Sequence, residues 1–227
     1  MIVFTSIAQR FKDFAEEVSP AALIGLFVDP IDHAVKQTPA IAFADGTSTF
    51  KVAIDSKVLT STSPTMLLRG AKLLELGTEG DSWLVTAKAP EKGLDGQLQI
   101  QDTDQTIDVP LTIVPKIKLA KDKAGKVDAA EFTRVLADRG KEKNPKFDFN
   151  GDGKHDALDD YIYTANYLKQ TGIKPTKPKA VAKPKNEPVA KGKEEVTEKG
   201  ADAAAKEDIK PAPKEPVKAP EKKKKKK

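Results

Sequence analysis

Apolar side chains near the start of the chain recur every three or four residues, which is the spacing of one face of a helix. They are Ile7, Phe11, Phe14 and Val18. This stripe predicts a helix over residues 5–18. Ser19 and Pro20 follow, and serine is a favoured N-cap while proline suits the first helical turn. A second short helix is therefore expected, and the two form an N-terminal helical segment over residues 1–38.

From residue 39 the apolar positions alternate with polar ones, which is the period of half-buried strands. Three stretches fold back at a turn signal: ADG at 44–46, GTEGD at 77–81 and DTDQ at 102–105. At each turn the flanking strands are expected to pair as a hairpin. Short strands with turns roughly every 8–12 residues predict a small antiparallel β-sandwich over residues 39–115.

Part of this β-region resembles a known class of domain. The stretch ADGTSTFKV, then GDSWLVTAKAPEKGLDGQLQI and IDVPLTIVP, is similar to bacterial immunoglobulin-like domains of surface proteins. The resemblance implies an immunoglobulin-like sandwich and brings no catalytic motif with it.

Residues 148–159 match the twelve-residue calcium loop, D-x-[DN]-x-[DN]-G with an acidic twelfth position. Calcium takes six to eight hard oxygen ligands, and Gly153 at position 6 permits the sharp turn that brings them together. The ligand positions 1, 3, 5, 7, 9 and 12 are Asp148, Asn150, Asp152, Lys154 through its carbonyl, Asp156 through a water, and Asp159. One Ca²⁺ site is predicted, with an exit helix starting near Leu158. His155, at position 8, is expected on the surface.

A second copy of the loop–helix pattern lies 28 residues upstream, where GKVDAAEFTR aligns with GKHDALDDYI. Its acidic positions 3, 9 and 12 are Asp122, Asp128 and Glu131. Positions 1 and 5 are Ala120 and Ala124, so two ligands are missing. This copy is a second, weaker candidate metal site.

The two loop–helix units together resemble a dockerin-type module of the EF-hand kind over residues 116–172. The resemblance implies calcium binding and docking onto a protein partner of the cohesin type. Dockerins use loop positions 10 and 11 and the exit helix for docking, which correspond here to Ala157, Leu158 and Tyr161. These positions lack the hydroxyl pair common in cellulosomal dockerins, so the expected role lies outside a cellulosome. Tyr161, Tyr163 and Tyr167 are expected to be half core and half surface.

Charge separates the end of the chain from the rest. Residues 173–227 contain 18 Lys and 9 acidic residues, a net charge of +9, whereas the whole chain is +5. Residues 1–172 therefore carry about −4. With its Lys, Pro and Ala and no aromatic residues, the segment is expected to be a disordered tail. It leaves a second function open: electrostatic, salt-sensitive binding of a polyanion, either nucleic acid or an acidic cell-surface polymer.

Composition and motifs exclude several classes of site. The chain has no Cys and two His far apart, His33 and His155, which excludes thiolate chemistry and argues against a His-rich zinc site. It has no phosphate loop, no nucleophile elbow and no HExxH, so no enzyme is expected. No apolar run reaches the ~18 residues of a membrane span. The β-domain type and a loop suited to external calcium favour an extracellular or cell-surface location; the absence of a visible signal peptide favours the cytoplasm.

The sequence thus predicts a multidomain α and β protein. An N-terminal helical segment is followed by an antiparallel β-sandwich, a dockerin-like calcium-binding pair and a disordered tail. Its predicted function is that of a non-enzymatic, calcium-ordered module for protein–protein interaction or assembly.

Overall fold

A computed structural model describes residues 2–28, 34–103, 105–140 and 145–176. His33 and the predicted tail beyond Thr176 lie outside the described residues. The strands are β1 Ile2–Val3, β2 Val35–Thr38, β3 Ala42–Phe43, β4 Thr49–Asp55, β5 Thr65–Arg69, β6 Lys72–Glu79, β7 Ser82–Lys88, β8 Gly96–Gln101, β9 Thr106–Leu111 and β10 Ile113–Val114. The helices are α1 Ile7–Lys12, α2 Pro20–Gly25, α3 Ala129–Leu136 and α4 Ala157–Thr171, with a short 3₁₀ turn at Ser56–Val58.

Two mainly antiparallel sheets enclose the first hydrophobic core. One has the strand order β1-β9-β8-β5 and the other β2-β4-β7-β6, and a small parallel pair, β10-β3, completes the strands. Alternate residues of the central strands point inward, as the period of two predicts. The fully buried members include Phe50, Val52, Ile54, Val85, Leu98, Ile100, Ile107 and Leu111. The predicted combination of antiparallel sheets with helices is confirmed.

Two of the three predicted hairpins are confirmed. β6 pairs antiparallel with β7 across the turn at 80–81, and β8 pairs with β9 in the register Leu98↔Val109 and Ile100↔Ile107. The prediction of a hairpin at ADG is wrong. β3, before the turn, pairs in parallel with β10, whereas β4, after it, pairs with β2 and β7. The alternation in 41–54 suits either arrangement, because it fixes which face is buried but not which strand lies alongside.

The two N-terminal helices are present, and the first is shorter than predicted. The Ser6 side chain accepts the Gln9 N–H at 3.0 Å and caps α1, which ends at Lys12. α2 begins at Pro20, and the Ser19 side chain accepts the Ala22 N–H at 3.2 Å. The predicted cap and first-turn proline are therefore confirmed.

α4 is the centre of the second hydrophobic core. Ten consecutive residues, 159–168, are buried, so this helix is covered on every side instead of presenting one face to solvent. Phe11 of the N-terminal segment packs 5.6 Å from the Tyr161 ring, and Phe132 of α3 packs 4.9 Å from the Tyr163 ring. This core draws residues from the predicted segments 1–38, 39–115 and 116–172 alike.

Hydrogen bonds join α4 to the end of the β-region. Asn166 is fully buried, and its side chain accepts the Ile117 N–H at 3.0 Å and donates to the Pro115 carbonyl at 2.9 Å. Lys169 donates to the Ile41 carbonyl at 2.5 Å, and its ammonium lies 4.8 Å from the centre of the Phe43 ring. Buried polar groups placed in this way are satisfied, and they fix how α4 meets the strands.

Candidate metal centre

The loop before α4 is wound around the Asp148 carboxylate. Its oxygens accept the backbone N–H groups of Gly151 at 2.7 Å, Asp152 at 3.1 Å and Gly153 at 2.8 Å. Gly153 has a φ of +87°, which a residue with a Cβ rarely adopts, and this explains the glycine at position 6. Position 1 of the predicted loop therefore organises the turn that brings the later positions back toward it.

Asp159 closes the loop from the other end. Its carboxylate is fully buried and accepts the N–H groups of Phe149 at 2.6 Å, Asn150 at 3.2 Å and Asp156 at 2.9 Å. Burial raises the pKa of Asp159, and the charge of Asp156 raises it further, whereas these hydrogen bonds oppose the rise. Asp156 caps α4 by accepting the Leu158 N–H at 2.8 Å. Its side chain also accepts the Asp159 N–H, and because the Asp159 side chain accepts the Asp156 N–H in return, the two aspartates form a capping box.

The remaining predicted ligands face solvent. Asn150, Asp152 and Lys154 are exposed, and the Asn150 amide donates to Asp152 Oδ2 at 2.9 Å. Among the residues that the structure describes, no group of three His, Cys, Asp or Glu side chains is placed to hold a metal ion as it stands.

The chemistry of the loop nevertheless suits a hard cation. All of its candidate ligands are oxygens, which is the donor that calcium prefers. Across the described residues, Asp148, Asp152, Asp156 and Asp159 have no Lys, Arg or His within ion-pair distance. Four carboxylates without a cationic partner, one of them fully buried, make a local negative charge that a divalent ion would offset.

The upstream copy folds in the same way. Gly125 has a φ of +78°, Asp128 caps α3 by accepting the Ala130 N–H at 2.9 Å, and α3 begins at the next residue. Each helix therefore starts at loop position 10 and is capped by the aspartate at position 9, with glycine at position 6. The alignment of the two copies predicts this equivalence.

The upstream copy differs in what its acidic side chains contact. Asp128 is paired with Arg134. Glu131 accepts the Ala120 N–H at 2.8 Å and lies 3.3 Å from the Tyr163 hydroxyl. Asp122 accepts the N–H groups at 124 and 126. Arg134 already neutralises the Asp128 carboxylate. The upstream loop therefore presents less unpaired negative charge to a bound cation than the downstream loop does.

His155 lies in the interior, so its predicted surface position is wrong. It is 3% exposed; its Nε2 lies 3.3 Å from Asp160 Oδ1 and its Nδ1 lies 3.8 Å from Asp138 Oδ2. Burial lowers the pKa of His155, but the hydrogen bond and charge of Asp160, with Asp159 and Asp138, raise it more, so the net shift is upward. Arg139 pairs with Asp160 at 3.2 Å. We call these four residues, Asp138, Arg139, His155 and Asp160, the buried charge cluster.

The buried charge cluster connects the two loop–helix units, because Asp138 and Arg139 follow α3 while the other two residues belong to the second unit. The Gly140 N–H also donates to the His155 carbonyl at 3.3 Å. The spacing of the two loops does not predict this connection. The acidic residue next to the twelfth loop position was a signal, since Asp159 alone completes the calcium pattern and leaves Asp160 unexplained.

The predicted partner contacts lie at different depths. Ala157 and Leu158 are half-buried at the start of α4. Tyr161 is fully buried between Phe11 and Phe27, so its side chain is not on the surface that a partner could touch in this conformation. Tyr163 and Tyr167 are buried as well, which corrects the expected half-exposed row.

Asp95 meets Tyr161 across the boundary between the strands and α4. The Tyr161 hydroxyl donates to Asp95 Oδ1 at 2.5 Å. Burial raises the pKa of Asp95 from 3.8 to about 6, although this hydrogen bond and the charge of Lys12 oppose the rise. The folded state therefore keeps a proton on Asp95 in a pH range where the unfolded chain has lost it.

We expect this group to make stability depend on pH. Its contribution is fully present below pH 3.8 and is lost as the pH rises through about 6. Asp95→Asn imitates the protonated form, and asparagine tolerates the positive φ of 60° found here. Well above pH 6 the variant should be about 3 kcal/mol more stable than the wild type, with little difference near pH 4. Urea unfolding at several pH values between about 4 and 7 measures the difference. If the free energy of unfolding changes equally with pH in the two proteins, the assignment to Asp95 is contradicted.

The chain has few detectable similarities to known proteins. No protein-family model matches the chain, and no curated protein matches it. Among solved structures, the adhesin InvE of Yersinia pseudotuberculosis matches with 14% identity and a TM-score of 0.30. The match covers 37% of this chain and 27% of the adhesin chain, and at that TM-score it bears on neither fold nor function. Within the described residues, no helix is both long and apolar enough to cross a membrane.

Proposed function

We propose that this protein is a non-enzymatic, calcium-binding module for protein–protein interaction or assembly. The observation that carries the proposal is the set of loop aspartates between 148 and 159, which have no cationic partner among the described residues. A bound Ca²⁺ would supply the missing positive charge. Its ligands would be Asp148, Asn150, Asp152, the Lys154 carbonyl, Asp156 and Asp159.

The role of the ion in this proposal is structural. The loop is continuous with α4, which is the centre of the second hydrophobic core. An ion that binds the folded state and not the unfolded chain stabilises the fold by mass action. The loop also presents Ala157 and Leu158 at the start of α4, so ordering the loop would order the surface offered to a protein partner. A partner of the cohesin kind and a cell-surface location, where calcium is plentiful, belong to this proposal.

A calcium titration of the full chain tests the proposal. We expect one ion to bind the wild type in calorimetry and to raise its melting temperature, with about 2.7 kcal/mol of stabilisation at a hundred times the dissociation constant. Asp148→Ala should abolish both effects, because it removes the ligand that organises the turn. Asp122→Ala is the control, as it removes a carboxylate at position 3 of the upstream copy, whose position 1 is already Ala120, and it should leave one ion bound.

The number of calcium ions bound distinguishes the proposed function from its alternative. No binding at about a millimolar calcium, the range of extracellular modules, would overturn the proposal. Polyanion binding by the Lys-rich segment 173–227, with its net charge of +9, would then become the leading function. Two ions in the wild type and one in Asp122→Ala would show that the upstream loop binds as well.

A further inference from the structure

Among the described residues, exposed large apolar side chains concentrate on two consecutive strands of the chain, β5 and β6, which are edge strands of different sheets. Of the five such side chains among the described residues, Leu73 (46% exposed), Leu74 (49%) and Leu76 (42%) lie on β6 and Leu67 (47%) lies on β5. β6 is an edge strand, because β7 is its neighbour on one side and its sheet ends there. We call the three leucines of β6 the leucine edge. Leu73 and Leu76 stand opposite Ala87 and Val85 in the register, so they lie on one face of the sheet. Exposed apolar side chains grouped on one face mark sites of interaction.

A bulge determines how the leucine edge can be covered. Leu73 pairs with Ala87 and Glu75 with Thr86, so Leu74 is an extra residue on β6. A bulge on an edge strand interrupts the row of backbone groups and hinders another strand from extending the sheet. A partner of this edge is therefore expected to pack against its side chains.

The charges around the leucine edge are arranged by sign along the strand. Arg69 and Lys72 lie at its start, Glu75 lies in its middle between Leu74 and Leu76, and Glu79 and Asp81 lie at its end. All five are exposed, and none forms an ion pair with another described residue. A partner whose surface carries charge of one sign would pair with the charges at only one end of this strand. A second copy related by a two-fold axis across the strand would set the basic end of each β6 against the acidic end of the other.

We propose that the leucine edge is the contact surface of a homodimer, in which the leucines of two copies pack together and Lys72 of each copy faces the acidic end of its partner. This surface is separate from the calcium loop, so the proposal goes beyond the function proposed above. Three half-exposed leucines are few beside the ~800 Å² per partner of a stable complex. The dimer should therefore be reversible, with a dissociation constant of about a micromolar or weaker.

Sedimentation of the full chain over about two decades of protein concentration tests the proposal. We expect a shift from monomer to dimer for the wild type, equally in calcium and in chelator. Leu74→Asn with Leu76→Asn should leave a monomer. Ile173→Asn is the matched control, because Ile173 is 45% exposed but lies outside the edge, and it should dimerise like the wild type.

A charge exchange tests the two-fold arrangement. Lys72→Glu and Glu79→Lys should each weaken the dimer roughly tenfold, since each occurs twice and replaces attraction by repulsion. Combining them restores opposite charges and should return the affinity toward that of the wild type. A monomer at every concentration, a dimer indifferent to the leucine substitutions, or a double variant weaker than both single variants would overturn the proposal. Loss of calcium binding without loss of the dimer would overturn the proposed function alone.

Discussion

Tyr161→Ala should destabilise the protein by about 4 kcal/mol, in the range for removing a buried aromatic ring. The ring is fully buried and packs 5.6 Å from Phe11 and 5.9 Å from Phe27, which come from the N-terminal segment. Its removal leaves a cavity between α4 and the N-terminal helices. It also leaves Asp95 without the hydroxyl that donates to it.

Two further variants separate packing from hydrogen bonding at this position. Tyr161→Phe keeps the ring and should cost about 1–2 kcal/mol, for the lost hydrogen bond. Ile173→Ala, at an exposed site, should cost less than about 0.5 kcal/mol. Urea unfolding can be followed by the fluorescence of Trp83, the single tryptophan, and by helicity. A cost below about 1 kcal/mol for Tyr161→Ala would show that the N-terminal helices do not depend on α4.

Asp160→Ala should have an effect of similar size, about 3–5 kcal/mol, because it leaves the buried His155 imidazole and the half-buried Arg139 guanidinium without the carboxylate that they share. The Asp160 carboxylate is 1% exposed and lies within 3.3 Å of both Arg139 Nε and His155 Nε2. Removing one partner of a buried charge pair costs more than the pair contributes, since the desolvated partner remains.

The same reasoning predicts that removing the fully buried partner together with Asp160 costs less. The double variant Asp160→Leu with His155→Leu leaves only the half-buried Arg139 without the Asp160 carboxylate and should be more stable than Asp160→Ala. Urea unfolding in chelator keeps calcium binding out of the comparison. If the double variant is the less stable of the two, the buried charge cluster contributes through its packing and not through its charge balance.

The sequence predicted local features well where a single residue type controls the geometry. Ser19 and Pro20 start α2 as expected, and α4 begins at Ala157, one residue from the predicted start near Leu158. The β6–β7 and β8–β9 hairpins follow from their turn residues. In each case the residues that interact are only a few positions apart, so a short stretch of sequence is enough to predict the structure.

The errors occurred where distant segments decide the outcome. The parallel pairing of β3 with β10 joins segments about 70 residues apart, which alternation alone does not specify. His155 was expected on the surface because a loop position was considered without the segment that covers it. Tyr161 was expected to contact a partner protein, but its ring packs against Phe11 and Phe27 of the N-terminal segment of the same chain.

The central position of α4 has a consequence for how the chain is made. Phe11 and Tyr161 are 150 residues apart, so α1 and α2 leave the ribosome long before the helix that covers them exists. The buried residues of the sandwich core lie between 42 and 113 and can assemble first. The helical core must wait for α4, and closing so long a loop is slow relative to local pairing. Biosynthesis therefore imposes an order on the two cores, with the N-terminal helices among the last described elements to reach their final packing.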